Sequence, residues 1–522
     1  MKVREFLSLN PDELINLLKT PDTSDSEINS WRNSLSELKK VLNGLEEFEI
    51  FLEYKLPNSP ERIDAVIVGK RVVFIELKQW SENNCIILDK KLILVNKKER
   101  LNPYLQVRGY KEHFLLHTDF KREIVPVVFL HNFEGEIFGE NIFYKKDYEK
   151  LNLFLKNVLE KPDKFEYKVK PSKKLIEVIT EIEKGFKLST NQQEIAYKAL
   201  KNINSKKNLL IKGIPGSGKS VVALNLHFYL LKKGLRSAYI TKNATPRVVY
   251  ESIFNKNGYR LSFHSPNSFE SADVVIVDEA HRLTKDQIEK IVKNSVSTIF
   301  FYDERQVVSC DDIGNGIYHF VDEVVELNEE FRCSASNEFL KWIDYILYED
   351  EKPKLKINYD FKIFDNIDDF VKACNEKNAK ITAGYCWEWR SKTNKNLYDI
   401  EIGKYKWQWN LHDKDNWKKQ FLWSIDKTQY DKIGCIHTAQ GMEFDYVGVI
   451  IGEDLIIKNG KISTNPNARA SDDFTIKKCN NTDAIIKNTY RVLLTRGIRG
   501  AYVYCVNKEI MKFFKEKLND SL

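Results

Sequence analysis

The stretch Leu209 to Val222, LLIKGIPGSGKSVV, restricts what this chain can fold into more than any other. Leu209, Leu210 and Ile211 read as a buried parallel strand, and Gly213 to Ser220 then spells G-x-x-x-x-G-K-S. Gly213, Gly216 and Gly218 let the backbone curl so that its N–H groups face a β-phosphate. Lys219 brings a charge to the β- and γ-phosphates, and Ser220 brings a hydroxyl to Mg²⁺. The helix that begins near Val221 turns its positive end toward the same anion. A glycine-rich surface turn needs neither the strand before, the helix after nor the Lys-Ser pair. The stretch is therefore read as a nucleoside triphosphate site on an α/β sheet.

A chain of 522 residues has room for about three domains. Apolar content of 42% suffices for packed cores, and no internal repeat or low-complexity segment divides the chain. Lys plus Arg minus Asp plus Glu is 82 − 75, or +7, which permits a nucleic-acid partner without requiring one. The eight cysteines are scattered with no C-x-x-C pair, so neither a zinc knuckle nor a disulfide framework is expected. The N-terminus lacks a signal-peptide core and no apolar run reaches the roughly 18 residues of a membrane span, so a cytoplasmic protein is expected.

Before the triphosphate site, Ser24-x-x-Glu27 forms a capping box for a helix carrying Ile28, Trp31, Leu35, Leu38 and Leu42, with Gly44 at its stop. A strand follows from Phe48 to Leu56. Then RIDAVIVGKRVVFIELKQW reads as two strands, Ile63–Val68 and Arg71–Leu77, around a tight Gly69-Lys70 turn. Asp64 opens the first, and Glu76 and Lys78 share one face of the second. Asp…Glu-x-Lys suits a metal-dependent phosphodiesterase: two carboxylates hold Mg²⁺ and the lysine orients water or stabilises developing charge. The apolar neighbours make an exposed strand the wrong setting, and buried charges need partners. Next, Asn102-Pro103-Tyr104 opens a helix with Gln106 and Tyr110 one turn apart, and Val125 to Leu130 reads as a further core strand.

Asp64, Glu76-x-Lys78 and Gln106-x-x-x-Tyr110, in this order, resemble the PD-(D/E)xK nuclease superfamily, specifically its QxxxY branch and the nuclease-related domains. The resemblance implies that Gln106 and Tyr110 support the metal site and the substrate phosphate. It also implies an acidic residue ahead of the aspartate, for which Glu53 is the first candidate and Glu47 the second. A degenerate nuclease fold kept as a clamp is the competing reading. From Glu160 to Lys174 the chain turns Lys- and Pro-rich and reads as a linker with a solvated basic face.

The rest of the chain supplies what a triphosphate site needs. Gln192, in LSTNQ, precedes the strand by one helix, and its amide both donates and accepts, as an adenine edge requires; Gln193 beside it leaves the register open. Asp273–Val277 reads as a buried strand ending in Asp278-Glu279-Ala280-His281, where Asp278 would handle Mg²⁺ through water and Glu279 would act as base. Ile299–Tyr302 leads to Asp303-x-x-Gln306, placed to sense a γ-phosphate. Glu330-Phe331-Arg332 offers one arginine finger, and YRVLLTR (490–496) a second arginine. Two arginines closing from a second lobe couple hydrolysis to lobe movement.

Gln192, GIPGSGKS, TKNATPR, DEAH, DERQ, EEFR, HTAQGMEFD and LLTRG together resemble the superfamily 1 DNA/RNA helicases from about Lys187 onward. CWEWRSK, KWQWN and CIHTAQGMEFDYVGVIIGEDL are similar to the prokaryotic Schlafen-like helicase family. The resemblance implies an ATPase site of Lys219, Asp278, Glu279, Gln306, Arg332, Glu443 and Arg496, with Thr241, His437 and Thr438 in motifs that meet the nucleic-acid strand. The spans between motifs are too short for the long inserted subdomains of processive unwinding helicases, which leaves translocation as the expectation. The tryptophans of the insert (Trp387, Trp389, Trp407, Trp409, Trp417, Trp423) suit either base stacking or a buried strand face, and Trp-x-Trp alternation favours the latter.

The expected architecture is α/β: a PD-(D/E)xK restriction-endonuclease-like domain at 1–160, a linker and helix at 161–186, and two RecA-like P-loop lobes at 187–330 and 331–522. The expected cofactors are ATP with one Mg²⁺, and one or two Mg²⁺ in the nuclease site. DNA is the first expected partner and RNA the second, with no membrane. The competing classes are a nucleic-acid-stimulated ATPase with an inert clamp and a nucleotide-gated switch holding a protein.

Overall fold

The computed structural model describes residues 1–521 apart from 21–22, 171–176, 178–187, 257–260, 262, 328–336, 354–358, 411–417, 427–431 and 478. The chain divides into two compact units; one holds Met1–Pro171 and Lys187–Tyr197, the other runs from Lys198 to Leu522.

In the first unit, the capping box at Ser24 and Glu27 starts the helix Asp25–Lys40. The Gly69 turn joins the strands Arg62–Val68 and Val72–Lys78. A Cβ at Gly69 would lie 2.5 Å from the Leu159 carbonyl oxygen, so only glycine fits this close approach. Five strands form one sheet in the order 49–55, 62–68, 72–78, 124–130, 142–144, antiparallel across the first three and parallel thereafter. The helix Pro103–His117, capped by Asn102, is the crossover between the parallel neighbours Val72–Lys78 and Ile124–Leu130. One sheet face (Ala65, Ile67, Val73, Ile75) packs with Trp31, Leu35, Leu38, Leu151 and Leu155. The other (Val66, Val68, Val72, Phe74) packs with Val107, Tyr110 and Phe114.

The expected linker departs from its reading between 161 and 170. Its lysines are exposed, but Phe165 and Tyr167 turn inward, Phe165 stacking on Phe114 at 5.5 Å and 11°. An i, i+2 aromatic pair packs as an edge strand would, and charge composition hides that.

The second unit carries two parallel sheets. The first lobe has six strands in the order 263–264, 237–240, 272–277, 295–302, 209–213, 323–327, with every pairing parallel. The central four, 237–240, 272–277, 295–302 and 209–213, are largely buried, as strands covered on both faces must be, whereas 323–327 at the edge is mostly exposed. The second lobe orders Asp360–Phe364, Gly497–Cys505, Phe444–Ile451 and Lys380–Ala383, again all parallel. The insert adds a small sheet of 400–402, 405–409 and 432–433. Trp407, Trp409 and Trp423 are buried there, so the alternation does mark a packed strand face; Trp417 lies outside the described residues.

The cysteines bring a correction. Cys310, in the first lobe, and Cys479, in the second, form a disulfide across a sequence separation of 169. Such a pair leaves no local spacing to read, and the rule that looks for C-x-x-C misses it. Among the described residues, no helix is long and apolar enough to cross a membrane.

Candidate nuclease and ATPase sites

Sheet register builds the first site. The strands 49–55 and 62–68 pair Leu52 with Ala65 and Tyr54 with Ile63, so Glu53 lies directly opposite Asp64. The next pair sets Ala65 against Ile75, and the same register carried one residue further sets Asp64 against Glu76. Three carboxylates thus form a row across three strands. Like charges placed opposite each other destabilise a sheet. The strain is also visible in the backbone: Glu53 has φ of 47°, a left-handed conformation that a non-glycine residue adopts at a cost.

Each member of the row is held. The Trp31 indole N–H donates to Glu53 Oε1 at 2.7 Å, the Leu77 N–H to Asp64 Oδ2 at 2.6 Å, and Lys78 Nζ to Glu76 Oε1 at 2.6 Å. Glu76 is 2% exposed, and its Oε2 has no hydrogen-bond partner. Burial first, and then the charge of Asp64, push Glu53 up to about 7 and Glu76 well above the carboxylate range. Asp64 is also raised by burial, against the pull of Lys78 and the Leu77 N–H. Lys78 is held in its charged form by Glu76 and Asp64 despite burial. The crossover helix covers this row: Gln106 Nε2 donates to the Tyr110 hydroxyl at 2.6 Å, and that phenol is pushed up by burial and by Glu76, Glu61 and Asp64. Glu47, the alternative to Glu53, is on the surface beside Arg4.

A buried carboxylate oxygen without a donor, in a row short of positive charge, fits a divalent cation. Among the described residues, no group of three or more His, Cys, Asp and Glu side chains is gathered tightly enough to hold a metal alone. A hard cation on Asp64 and Glu76 would keep part of its shell as water, which is how Mg²⁺ prefers to bind.

The second site lies at the C-terminal ends of the first-lobe strands, where open α/β sheets bind ligands. Gly216 and Gly218 have φ of 85° and 81°, which the curled loop requires. At Gly213 a Cβ would lie 2.7 Å from Ser217 Oγ. Lys219 Nζ donates to the Gly213 and Ile214 carbonyls at 2.7 and 2.8 Å and lies 3.6 Å from Asp303. Ser220 Oγ donates to Asp278 Oδ2 at 2.8 Å, the pair that an ATP-bound Mg²⁺ would draw on. Glu279 sits in left-handed backbone with φ of 55°. Burial would raise its carboxyl, but the His281 hydrogen bond and the charges of Lys219 and Arg496 hold it below the usual range. Burial and that neighbouring charge raise Asp278 instead. Asp303 is also raised by burial, and Lys219, Arg491 and the Gln306 bond outweigh it to keep the carboxyl low. Gln306 Nε2 donates to Asp303 Oδ2 at 2.8 Å.

Two side chains here escaped the sequence reading. The Tyr239 hydroxyl donates to Asp278 Oδ2 at 2.6 Å. His281 Nδ1 accepts from the Asp303 N–H at 3.2 Å while Nε2 lies 2.9 Å from Glu279, which assigns the proton to Nε2 and ties Glu279 to Asp303. DEAH spelled the histidine, yet nothing local said where its second nitrogen would go.

The second lobe closes on this site. Arg496, 1% exposed, donates from Nε to the Val492 carbonyl at 2.9 Å, and its charge is felt by Glu279. Glu443 faces Tyr250, whose phenol is raised by burial and by Asp278, Glu443 and Glu279. Gln440, fully buried, accepts from Arg282, and its backbone carbonyl accepts from Asn243 at 2.9 Å. Arg491, five positions before Arg496, was missed: it pairs with Asp344 at 2.6 Å. Arg332 lies outside the described residues. Gln192 is described in the other unit, where its side-chain oxygen accepts from the Ser189 N–H at 3.1 Å as part of a helix cap.

Of the three residues expected near a nucleic-acid strand, Thr241 and Thr438 are buried; Thr438 Oγ1 caps its own turn by accepting from the Cys435 N–H at 2.9 Å. The His437 ring stacks on Phe474 at 5.8 Å and 14°, and Phe474 is 58% exposed between the buried Asp473 and Thr475. Burial and the nearby Arg282, Lys242 and Arg469 push His437 down to about 3, so it is neutral.

The parallel lobes, the P-loop and the acidic strand ends define a RecA-type motor of the helicase kind, joined in one chain to a nuclease-related module. The match is specific: residues 206–507, more than half the chain, fit the model of the Schlafen group 3 DNA/RNA helicase domain, and residues 30–131 fit the nuclease-related domain. The chain belongs to the Schlafen group 3 helicase family. It is 26% identical over 378 residues to the uncharacterized protein YPL245W of Saccharomyces cerevisiae, covering 58% of this chain and 82% of that one. Among solved structures it resembles the arterivirus nonstructural protein 10 helicase (12% identity, 61% of this chain and 64% of that one, TM-score 0.33). It also resembles the Pif1 helicase of Candida albicans (12% identity, 64% and 99%, TM-score 0.31). The chain thus spans less than two thirds of the arterivirus helicase.

Proposed function

We propose that the protein is an ATP-driven nucleic-acid translocase that carries its own Mg²⁺-dependent phosphodiesterase, with DNA as the preferred strand and RNA as the second choice. The observation that carries the nuclease half is the buried row Glu53–Asp64–Glu76 with Glu76 Oε2 unpartnered and Lys78 at its end. Such a row is costly to fold, and cation binding offsets that cost. When bound, Mg²⁺ supplies Lewis acidity and a water of lowered pKa. Asp64 and Glu76 anchor it, Lys78 faces the developing charge, and Gln106 with Tyr110 positions the phosphate. In the motor, Lys219 gives up its carbonyl partners for the triphosphate, Ser220 and Asp278 hold its Mg²⁺, and Glu279 takes the proton of the attacking water. Hydrolysis then moves the strand and brings it to the cut. A cutter tied to a motor suits the clearing of invading DNA in the cytoplasm, a role supported by resemblance alone.

The test is cleavage of labelled single- and double-stranded DNA and RNA with Mg²⁺, with and without ATP, in wild type, Glu76→Ala and Lys219→Ala. The reading expects Glu76→Ala to abolish cutting and Lys219→Ala to remove only its ATP dependence. If wild type cuts nothing while nucleic acid still stimulates its ATPase, the first module is a clamp. ATPase indifferent to both nucleic acids makes the motor a switch.

A further inference from the structure

Arg491 has a buried donor left over. Its helix, Thr482–Leu494, is sunk in the second lobe, and the side chain is 2% exposed. A guanidinium removed from water needs partners for a fork of five N–H groups. Nε and Nη2 grip the two oxygens of Asp344 at 2.6 and 3.1 Å. Nη1 is buried with no hydrogen-bond partner.

The place of that donor matters. The helix packs against the first-lobe turn Glu304–Gln306. One turn before Arg491, Asn488 donates to the Val307 carbonyl at 2.8 Å and fixes this face of the helix across the lobe interface. The Arg491 charge reaches Asp303, which lies 3.6 Å from the P-loop Lys219. Arg496 serves the other carboxylate, Glu279. The two second-lobe arginines thus bear on two different carboxylates of the site.

The hold of Asp344 on Arg491 is also replaceable. Arg305 lies 3.0 Å from Asp344 Oδ2 and 2.7 Å from Asp350, so Asp344 keeps a cation when Arg491 shifts its attention elsewhere. A purely structural staple needs neither a spare donor nor a shared acceptor.

We infer that Arg491 is a γ-phosphate sensor: its unpartnered Nη1 bonds a triphosphate in the P-loop, and Asp344 holds the guanidinium in reserve until one arrives. The inference rests on the ATPase reading above. It makes Arg491 the residue through which the second lobe distinguishes ATP from ADP. A planar fork suits phosphate as a lysine point charge does not.

The experiment is equilibrium binding of a fluorescent ADP and of a non-hydrolysable ATP analogue to the full chain, with melting temperatures alongside, in wild type, Arg491→Ala, Arg491→Lys and Asp344→Asn. Loss of one charge-assisted bond should cut the preference for triphosphate over diphosphate by about tenfold in both Arg491 variants, with diphosphate affinity nearly unchanged. Asp344→Asn, which frees the guanidinium, should keep or raise that preference. If Arg491→Ala does not fold, Arg491→Lys gives the answer. An unchanged preference in the folded Arg491 variants, with melting temperatures lowered as much as by Asp344→Asn, makes the pair a structural staple and overturns the inference. If wild type binds neither nucleotide, the ATPase reading itself has failed.

Discussion

The two sites solve opposite electrostatic problems. In the nuclease-related module Glu53, Asp64 and Glu76 crowd one another, and Glu53 and Glu76 are pushed up by burial and by mutual repulsion, although Lys78 is bonded to Glu76 and Arg62 lies 3.9 Å from Glu53. In the motor the buried acids Asp303 and Glu279 are held low, because Lys219, Arg491 and Arg496 lie around them and His281 hydrogen-bonds to Glu279. One arrangement is short of a cation. The other has its cations already in place, resting on acids and carbonyls that an incoming polyphosphate would displace. The sign of each imbalance suits the ligand proposed for it, a cation in the first and a polyphosphate in the second.

The largest test of this contrast exchanges the two central residues. Lys219→Ala should lower ATP hydrolysis by roughly a hundredfold or more, and Glu76→Gln should lower Mg²⁺-dependent cleavage by a similar factor, each leaving the other activity standing. Mg²⁺ without nucleotide should raise the melting temperature of wild type and lose that effect in Glu76→Gln; an equal Mg²⁺ effect in both variants breaks the comparison.

A second test uses acid. His227, on the helix that follows the P-loop, is fully buried against Ser237 Oγ at 2.9 Å, and burial with His264 pushes it down to about 3. Its folded pKa is below the unfolded value, so unfolding takes up a proton as pH falls. The stability it permits is intact above about pH 6.5 and drains away toward pH 3. Between pH 7 and pH 5 wild type should lose about 2 kcal/mol more than His227→Gln, read from urea midpoints.

The smallest effects separate the two candidates for the extra acid. Glu53→Gln keeps an acceptor for the Trp31 indole while removing charge, and should lower cleavage by about tenfold. Glu47→Gln, on the surface, should change cleavage by less than a factor of about two and stability by under about 0.5 kcal/mol. The reverse result would move the metal site to another face of the sheet.

Much of this was legible because it was local. The P-loop is one contiguous stretch, the hairpin at Gly69 sets its own register, and Asn102-Pro103 announces the crossover helix. Glu53 stood as one of two candidates because a left-handed residue opposite Asp64 leaves no mark in an alternating strand. Tyr239 and Arg491 carry no local signal, since what defines them, Asp278 and Asp344, lies 39 and 147 residues away. Phe165 and Tyr167 were hidden under their lysine neighbours for a different reason: charge composition reports the solvent face of a segment and says nothing of the other.

The bridge between Cys310 and Cys479 has a mechanical meaning. It closes a ring over a separation of 169 residues that takes in the helix Asn337–Tyr348 and most of the second lobe. Tension applied at the two ends of the motor would run through the sulfur bond and bypass the whole ring. A backbone nick anywhere inside it would leave both fragments in one piece until a thiol reductant set them apart.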